Sequence, residues 1–207
     1  MAALDLQPVR VTVSPARRLT QLFAGLALYG ASTAMMTRAG LGLSPWGVLH
    51  EGLSDRTGLT FGTIVAITSA AILLLWIPLR QRPGVGTVAN AVVVSVTVDL
   101  VRAVLPEQHA LGWQIVLLIG GVALNGLATA AYVGARLGPG ARDGLMTGMT
   151  ARTGWSVRLV RTGIEVAVLA VGWLLGGTAG VGTVLYAVAI GPLTQALLPH
   201  VAWRGSR

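Results

Sequence analysis

The chain has 207 residues, of which 54% are hydrophobic and only 11% are charged, and its mean hydropathy is +0.73. Soluble domains carry about 25% charged residues, so this composition excludes a soluble globular protein and predicts a chain that folds in a lipid bilayer. The net charge of +8 comes from arginines, most of which flank apolar runs. We therefore interpret the charge as a signal of membrane topology and not of nucleic-acid binding. The chain has no cysteine, and its three histidines form no metal-binding motif, so we expect neither a metal nor a cofactor.

Six predominantly apolar runs are each close to the length of about 20 residues that a helix needs to cross the hydrocarbon core. In chain order they cover residues 19–37, 59–79, 85–104, 111–133, 157–175 and 181–198. The sequence therefore predicts an all-α integral membrane protein with six transmembrane helices.

Arginines accumulate in alternate connections, as they do in the cytoplasmic loops of membrane proteins. The segment before the first span, the second connection, the stretch from the fourth connection into the fifth span, and the tail together hold 12 of the 15 arginines. This pattern predicts that both termini are cytoplasmic, with an N-terminal arm of residues 1–18 and a tail of residues 199–207.

An internal repeat relates the two halves of the chain. When the sequence is shifted by 96 residues without a gap, residues 25–58 align with residues 121–154 and share 14 identities in 34 positions, against about three expected by chance. The repeats comprise residues 19–104 and 111–198, and each holds three spans. Because three is odd, the second repeat must enter the membrane in the opposite orientation to the first. Inverted repeats of this kind are common in secondary transporters, whose substrate sites lie between the repeats.

A short helix is predicted between the first and second spans of each repeat, over residues 44–56 and 141–152. Ser44 suits an N-cap and Pro45 suits the first helical position. A helix of about 12 residues is too short to cross the membrane, so each either re-enters the membrane or lies at its interface. If both re-enter, their N-termini meet near the centre and favour an anion.

The motifs, taken in order, resemble those of the YczE-like bacterial membrane proteins, which are related to the YitT group. The resemblance rests on these segments: LGLSPWGVLHEGLS, GVGTVAN, ARDGLM, VRTGIE and GWLLGGTAGVGT. It extends over residues 18–199 and implies a multi-pass protein of the bacterial cytoplasmic membrane. The resemblance implies no substrate, cofactor or catalytic residue.

Four charged residues in or beside apolar segments are the leading candidates for a binding site, because ions at membrane depth are costly and usually functional. Arg142 and Asp143 begin the second short helix, Asp99 lies in the third span and Glu165 lies in the fifth. For Asp99 the alternative is a structural ion pair with Arg102, three residues further on.

Five further polar residues are secondary candidates. Asn90 lies in the third span, Arg161 is one turn before Glu165, and Ser44 begins the first short helix. His50 and Glu51 follow on that helix, where they either sense pH at membrane depth or form a solvated pair.

Two classes of function remain open. The first is a small-molecule or ion transporter or channel with a polar site between the repeats, which binds a small polar or anionic ligand. The second is a non-transporting membrane protein that regulates or scaffolds another membrane complex, through a homo-oligomer or a partner protein. An enzyme is not expected, because no nucleophile and base occur at a recognisable spacing.

Reporter fusions test the predicted topology. A reporter fused after Arg82 or after Arg152 should be cytoplasmic, and one fused after Asp55 or Gly177 should be external, since these sites follow successive spans. If a reporter that works only outside the cytoplasm were active when fused after Arg152, the inverted repeat would be contradicted.

Overall fold

A computed structural model describes residues 8–203 of the chain. This part is all-helical and has no strand. Its eight helices are α1 (Pro15–Ala39), α2 (Pro45–Thr57), α3 (Phe61–Leu79), α4 (Val85–Val104), α5 (Leu111–Gly134), α6 (Ala141–Thr153), α7 (Val157–Leu174) and α8 (Val181–Val201).

Four of these helices, α3, α4, α5 and α8, are long and apolar enough to cross a membrane. The two other predicted spans also form helices, α1 with 25 residues and α7 with 18, but they carry more polar residues. Three ionisable side chains lie in the first half of α7, at Arg158, Arg161 and Glu165. Helix α1 packs against α4 and α5, and its buried residues include the polar Ser32 and Thr37.

The boundaries differ from prediction mainly at the two termini. Helix α1 begins at Pro15, four residues before the predicted span, and α8 continues through Pro199 to Val201. The sequence indicated an end before that proline, but prolines are tolerated in transmembrane helices because neighbouring groups satisfy the freed carbonyls. Residues 204–207 of the predicted tail and residues 1–7 of the predicted arm lie outside the described residues.

The 96-residue offset is reproduced in the positions of the helices. Helices α1, α2, α3 and α4 begin at residues 15, 45, 61 and 85, and α5, α6, α7 and α8 begin at residues 111, 141, 157 and 181. The two short helices have 13 residues each. Every helix of the first half therefore has an equivalent in the second.

Helices α1 and α5 form the core, and they approach each other through equivalent glycines. A Cβ added to Gly25 would lie 2.8 Å from the backbone nitrogen of Tyr132, and one added to Gly121 would lie 2.8 Å from Cγ of Met36. Tyr132 and Met36 are themselves equivalent under the offset. The contact is thus made twice, with the roles of the two helices exchanged.

The bundle has two ends, which we name from α1: the near end, where α1 begins, and the far end, where it finishes. At the near end, the start of α4 meets the end of α5, because Gly86 N–H donates to the Leu137 carbonyl over 2.9 Å. At the far end, the start of α8 meets the end of α1, because Gly182 N–H donates to the Leu41 carbonyl over 2.8 Å. These are equivalent hydrogen bonds at opposite ends.

Arg18 fastens residues 9–13 to the near end. Its guanidinium is fully buried and donates to the carbonyl oxygens of Val9, Arg10 and Val13 on one side. On the other side it donates to the carbonyls of Ala135 and Arg136, at 2.9 Å each. The charge pattern predicted that this arginine belongs to a cytoplasmic arm, whereas the structure buries it inside the protein.

The two halves differ in one packing contact. Helix α3 packs along α4, but within residues 8–203 the equivalent pair, α7 and α8, makes no extended contact. Helix α7 instead packs against the short helices α2 and α6. A gap between α7 and α8 results.

The far-end junction generates a stability prediction. A Cβ on Gly182 would collide with the Gly42 carbonyl oxygen, so Gly182→Ala should lower the free energy of unfolding by about 1–3 kcal/mol. A thermal unfolding curve in detergent measures this change. Gly163→Ala is the matched control, because nothing lies within 4 Å of its added Cβ. Equal unfolding midpoints for the two variants would contradict the close approach.

Candidate functional site

A cavity of about 590 Å³ lies at the centre of the bundle, and all eight helices contribute to its wall. It extends from the near end, where Pro8 and Arg136 line it, to the middle of α1 at Tyr29. Residues 186–195 of α8 and two charged residues of α7 form the wall beside the gap between those helices.

The cavity is built around equivalent positions of the two repeats. A residue of the first half and its partner 96 positions later both line it in seven cases. These pairs are Ser44 and Gly140, Pro45 and Ala141, Trp46 and Arg142, Val65 and Arg161, Ser69 and Glu165, Asn90 and Tyr186, and Val94 and Ile190. The first repeat supplies neutral side chains to these pairs, and the second repeat supplies the charged ones.

Arg142 contacts its own equivalent, Trp46. The guanidinium carbon lies 4.9 Å from the centroid of the indole ring, a favourable cation–π distance. Among residues 8–203 no carboxylate lies within 4.0 Å of this guanidinium. Trp46 is only 7% exposed, and its indole N–H has no hydrogen-bond acceptor in the described part of the chain. Two cavity-lining donor groups thus meet where the short helices begin.

Asp143 is held at the first turn of α6. Its Oδ2 accepts from the Gly140 backbone N–H over 3.2 Å and from the Tyr132 hydroxyl over 3.3 Å. Its side chain also lines the cavity. A carboxylate at this position satisfies an orphan N–H and complements the helix dipole, so Asp143 orients the start of α6.

Glu165 and Arg161 lie together on the wall formed by α7. The Arg161 Nε donates to Glu165 Oε1 over 3.0 Å, and the two side chains are 54% and 31% exposed. The pair follows the i, i+4 spacing, in the less favourable order of charges. It brings one positive and one negative group to the cavity.

The secondary candidates divide between the cavity and its surroundings. Asn90 and Ser44 line the cavity, and Ser44 Oγ also caps α2 by accepting from the Gly47 N–H over 3.2 Å. His50 is 2% exposed and lies 2.9 Å, through Nε2, from the Thr68 hydroxyl. It is thus packed between α2 and α3 and does not belong to a solvated pair.

Glu51 joins α2 to the connection between α7 and α8. Its Oε2 accepts from the backbone N–H of Thr178 over 2.6 Å. Neither Glu51 nor His50 is part of the cavity wall. Both fix the position of α2, whose first turn carries Trp46.

Asp99 lies outside the cavity, toward the far end. It accepts from the Thr60 hydroxyl and, over 2.8 Å, from the Gly62 N–H, and so caps the first turn of α3. Arg102, its expected ion-pair partner, packs over the Phe61 ring, with its guanidinium carbon 5.2 Å from the centroid. Asp99 lines a separate depression of about 270 Å³. The structure therefore brings Arg142, Asp143 and Glu165 to one cavity and places Asp99 elsewhere.

The aromatic part of the wall was missed in the sequence. Trp46, Tyr29, Tyr132 and Tyr186 all line the cavity, but the three tyrosines lie in apolar runs and Trp46 lies on a short helix, where aromatic residues are typical of ordinary helix packing. The repeat carried a usable signal, since Trp46 aligns with Arg142, and Tyr186 aligns with Asn90. Within residues 8–203, no group of three or more histidine, aspartate or glutamate side chains is arranged to hold a metal ion.

Comparison with known proteins identifies relatives over most of the chain. The sequence profile of a family of unknown function, DUF6198, matches residues 16–199. An uncharacterized membrane protein of Bacillus subtilis, YczE, is 37% identical over 186 residues, which cover 88% of this chain and 86% of the relative. An uncharacterized protein of Haemophilus influenzae is 35% identical over 193 residues, covering 90% and 88%. No solved structure matches significantly.

The different settings of two carboxylates generate a further prediction. Asp143→Ala should lower the free energy of unfolding by about 1 kcal/mol, because it removes the carboxylate that accepts from the Gly140 N–H and the Tyr132 hydroxyl at the first turn of α6. Glu165→Ala should cost less than about 0.5 kcal/mol, because its partner is an exposed i, i+4 arginine. Thermal unfolding in detergent compares the two variants. A larger loss for Glu165→Ala would show that Asp143 does not anchor α6.

Proposed function

The chain belongs to the family of unknown function DUF6198, and we propose that it is a transporter that carries a small anionic or polar molecule across the bacterial cytoplasmic membrane. The observation that carries this proposal is the cavity at the repeat interface, which reaches the centre of the bundle and holds Arg142 without a carboxylate partner among the described residues. Substrate sites of inverted-repeat transporters lie at this kind of interface.

The proposal includes six spans arranged as two inverted repeats, with α1 and α7 completing the set. Its support is the direction of the helices. The end of α5 and the start of α4 lie at the near end, while the end of α1 and the start of α8 lie at the far end. Equivalent helices therefore run in opposite directions, as a two-fold axis in the membrane plane requires.

The near end is cytoplasmic in this proposal. Arginines mark cytoplasmic segments, and Arg10, Arg17, Arg80 and Arg82 all lie where α1 begins or where α3 connects to α4. The far end has arginines balanced by acids, such as Arg38 with Glu107 at 2.6 Å. The cavity then opens toward the cytoplasm, and both termini are on that side.

The chemistry of the cavity favours an anionic group near Arg142. A guanidinium binds carboxylate or phosphate oxygens in a bidentate manner, and here the indole face of Trp46 holds it in place. The nearby start of α6 adds the positive end of a helix dipole. Asp143, Glu165 and the tyrosine hydroxyls offer acceptors and donors for other polar groups of the ligand, so the site suits a small molecule with several polar substituents.

We propose no enzymatic activity for this protein. The alternative is a membrane protein that binds a ligand or a partner without moving anything across the bilayer. Flux measured in proteoliposomes separates these two possibilities, because only the transporter equilibrates a bound ligand across the vesicle membrane.

Replacement of Arg142 tests the site. In a screen of small carboxylates, phosphates and zwitterions, a ligand at 100 times its Kd should raise the stability of the purified protein by about 2.7 kcal/mol. Arg142→Leu should abolish this stabilisation and the flux. Arg152→Leu is the matched control, because Arg152 is exposed near the end of the same helix, α6, and does not line the cavity. Unchanged stabilisation in Arg142→Leu would remove the central residue of the site.

A further inference from the structure

The cavity is closed toward the far end by a layer only one helical turn thick. Val65 on α3 and Val94 on α4 line the cavity, whereas Phe61 and Asp99, which lie four and five residues nearer the far end on the same helices, line the far-end depression. A helical turn advances by about 5.4 Å. The packing of α3 against α4 over this turn is therefore one layer between the central cavity and the far side.

Two contacts form this layer. A Cβ on Gly62 would collide with the Ser95 carbonyl oxygen, so the two backbones touch directly. Asp99 then ties the first turn of α3 to α4 by accepting from the Gly62 N–H, at 2.8 Å, and from the Thr60 hydroxyl. Hydrogen bonds to a charged group are among the stronger ones in proteins.

In the second repeat, the positions on α7 and α8 that are equivalent to this α3–α4 contact lie apart from each other. Gly191 and Gln195, the partners of Ser95 and Asp99, line the cavity, and a Cβ on Gly191 would meet nothing within 4 Å. Ser156 and Arg158, the partners of Thr60 and Gly62, are exposed at the start of α7. The same structural unit is thus closed at the far end and open at the near end.

We infer that α3 and α4 form a gate at the far end with Asp99 as its latch, and that transport exchanges this closed pair for a closed α7–α8 pair. The inference rests on the proposed transport function. In the second state the Gln195 amide oxygen accepts from the backbone N–H of Arg158, the partner of Gly62, in a neutral hydrogen bond that is weaker than those of the charged Asp99. Rocking of one repeat against the other around a central site is the usual form of alternating access.

Site-directed labelling tests the gate, because the natural chain has no cysteine. The buried Ser95 reports on the far-end layer, and Thr194, in the cavity wall, reports on the near end. S95C and T194C are introduced singly into the full chain in membrane vesicles of known orientation. A charged, membrane-impermeant thiol reagent is then added from the far side for S95C and from the near side for T194C.

Opening the latch should raise labelling at one reporter and lower it at the other. Asp99→Asn or Gly62→Ala should label S95C at least about tenfold faster, since a charged hydrogen bond contributes about 1.5 kcal/mol or more. The same variants should slow the labelling of T194C. Glu107→Gln and Gly163→Ala are the matched controls, a far-end carboxylate and an unobstructed glycine, and should change neither rate.

Two results would overturn the inference. If S95C labelling is unchanged in both Asp99→Asn and Gly62→Ala, this layer is not a gate. If S95C labels faster while T194C labelling stays the same, the two ends are not coupled. Both results leave the proposed function intact when Arg142→Leu still abolishes ligand-dependent stabilisation, so a failed gate and a failed site are distinguished.

Discussion

The close contact between α1 and α5 is the constraint on which the rest of the structure depends. In a bilayer, helices gain little by hiding apolar surface from one another, so they associate through small residues that let backbones approach. Gly25 and Gly121 supply this approach at two equivalent points. The other helices then pack in equivalent pairs, α4 on α1 and α8 on α5. The same pairing recurs where Gly30 lies against α4 and Gly126 lies against α8.

Equivalent packing with unequal side chains gives the cavity its chemistry. Duplication alone would have produced a site with two-fold chemical symmetry. Instead the first repeat provides an indole, an isopropyl group and a hydroxyl at Trp46, Val65 and Ser69, while the second provides two guanidinium groups and a carboxylate at their partner positions. The contact between Trp46 and Arg142 shows the benefit of this divergence. Two arginines at these positions would repel each other, and two tryptophans would carry no charge for a ligand.

Much of the fold could be predicted from sequence because its signals are local. Apolar runs of sufficient length located the long helices, and Ser44 and Pro45 marked the start of α2, where the structure begins it. The offset of 96 residues anticipated the start of every helix in the second half. Glycine in a membrane helix permits close approach of backbones, and Gly86 and Gly182 make such backbone contacts.

The candidate site could be predicted only in part from the sequence, because it is formed by residues that are distant from one another in the chain. Asp99 and Glu165 look alike in the sequence, each a carboxylate inside an apolar run. Their separation follows from position along the bundle: Asp99 is late in a helix that runs toward the far end, and Glu165 is early in one that starts at the near end. Arg18 looked like a cytoplasmic flanking charge, but five carbonyl oxygens bind it inside the protein.

The burial of Arg18 has a consequence for biogenesis. Three of its acceptors are made at the start of synthesis, but the carbonyls of Ala135 and Arg136 emerge from the ribosome more than a hundred residues later. Until α5 is inserted, the guanidinium must stay in water or among lipid headgroups, because an unpaired ion is too costly to bury. The arm can therefore dock only on a chain whose second half has begun to assemble. Docking of Arg18 thus makes residues 9–18 a late element of folding, although they are synthesised before the helices against which they pack.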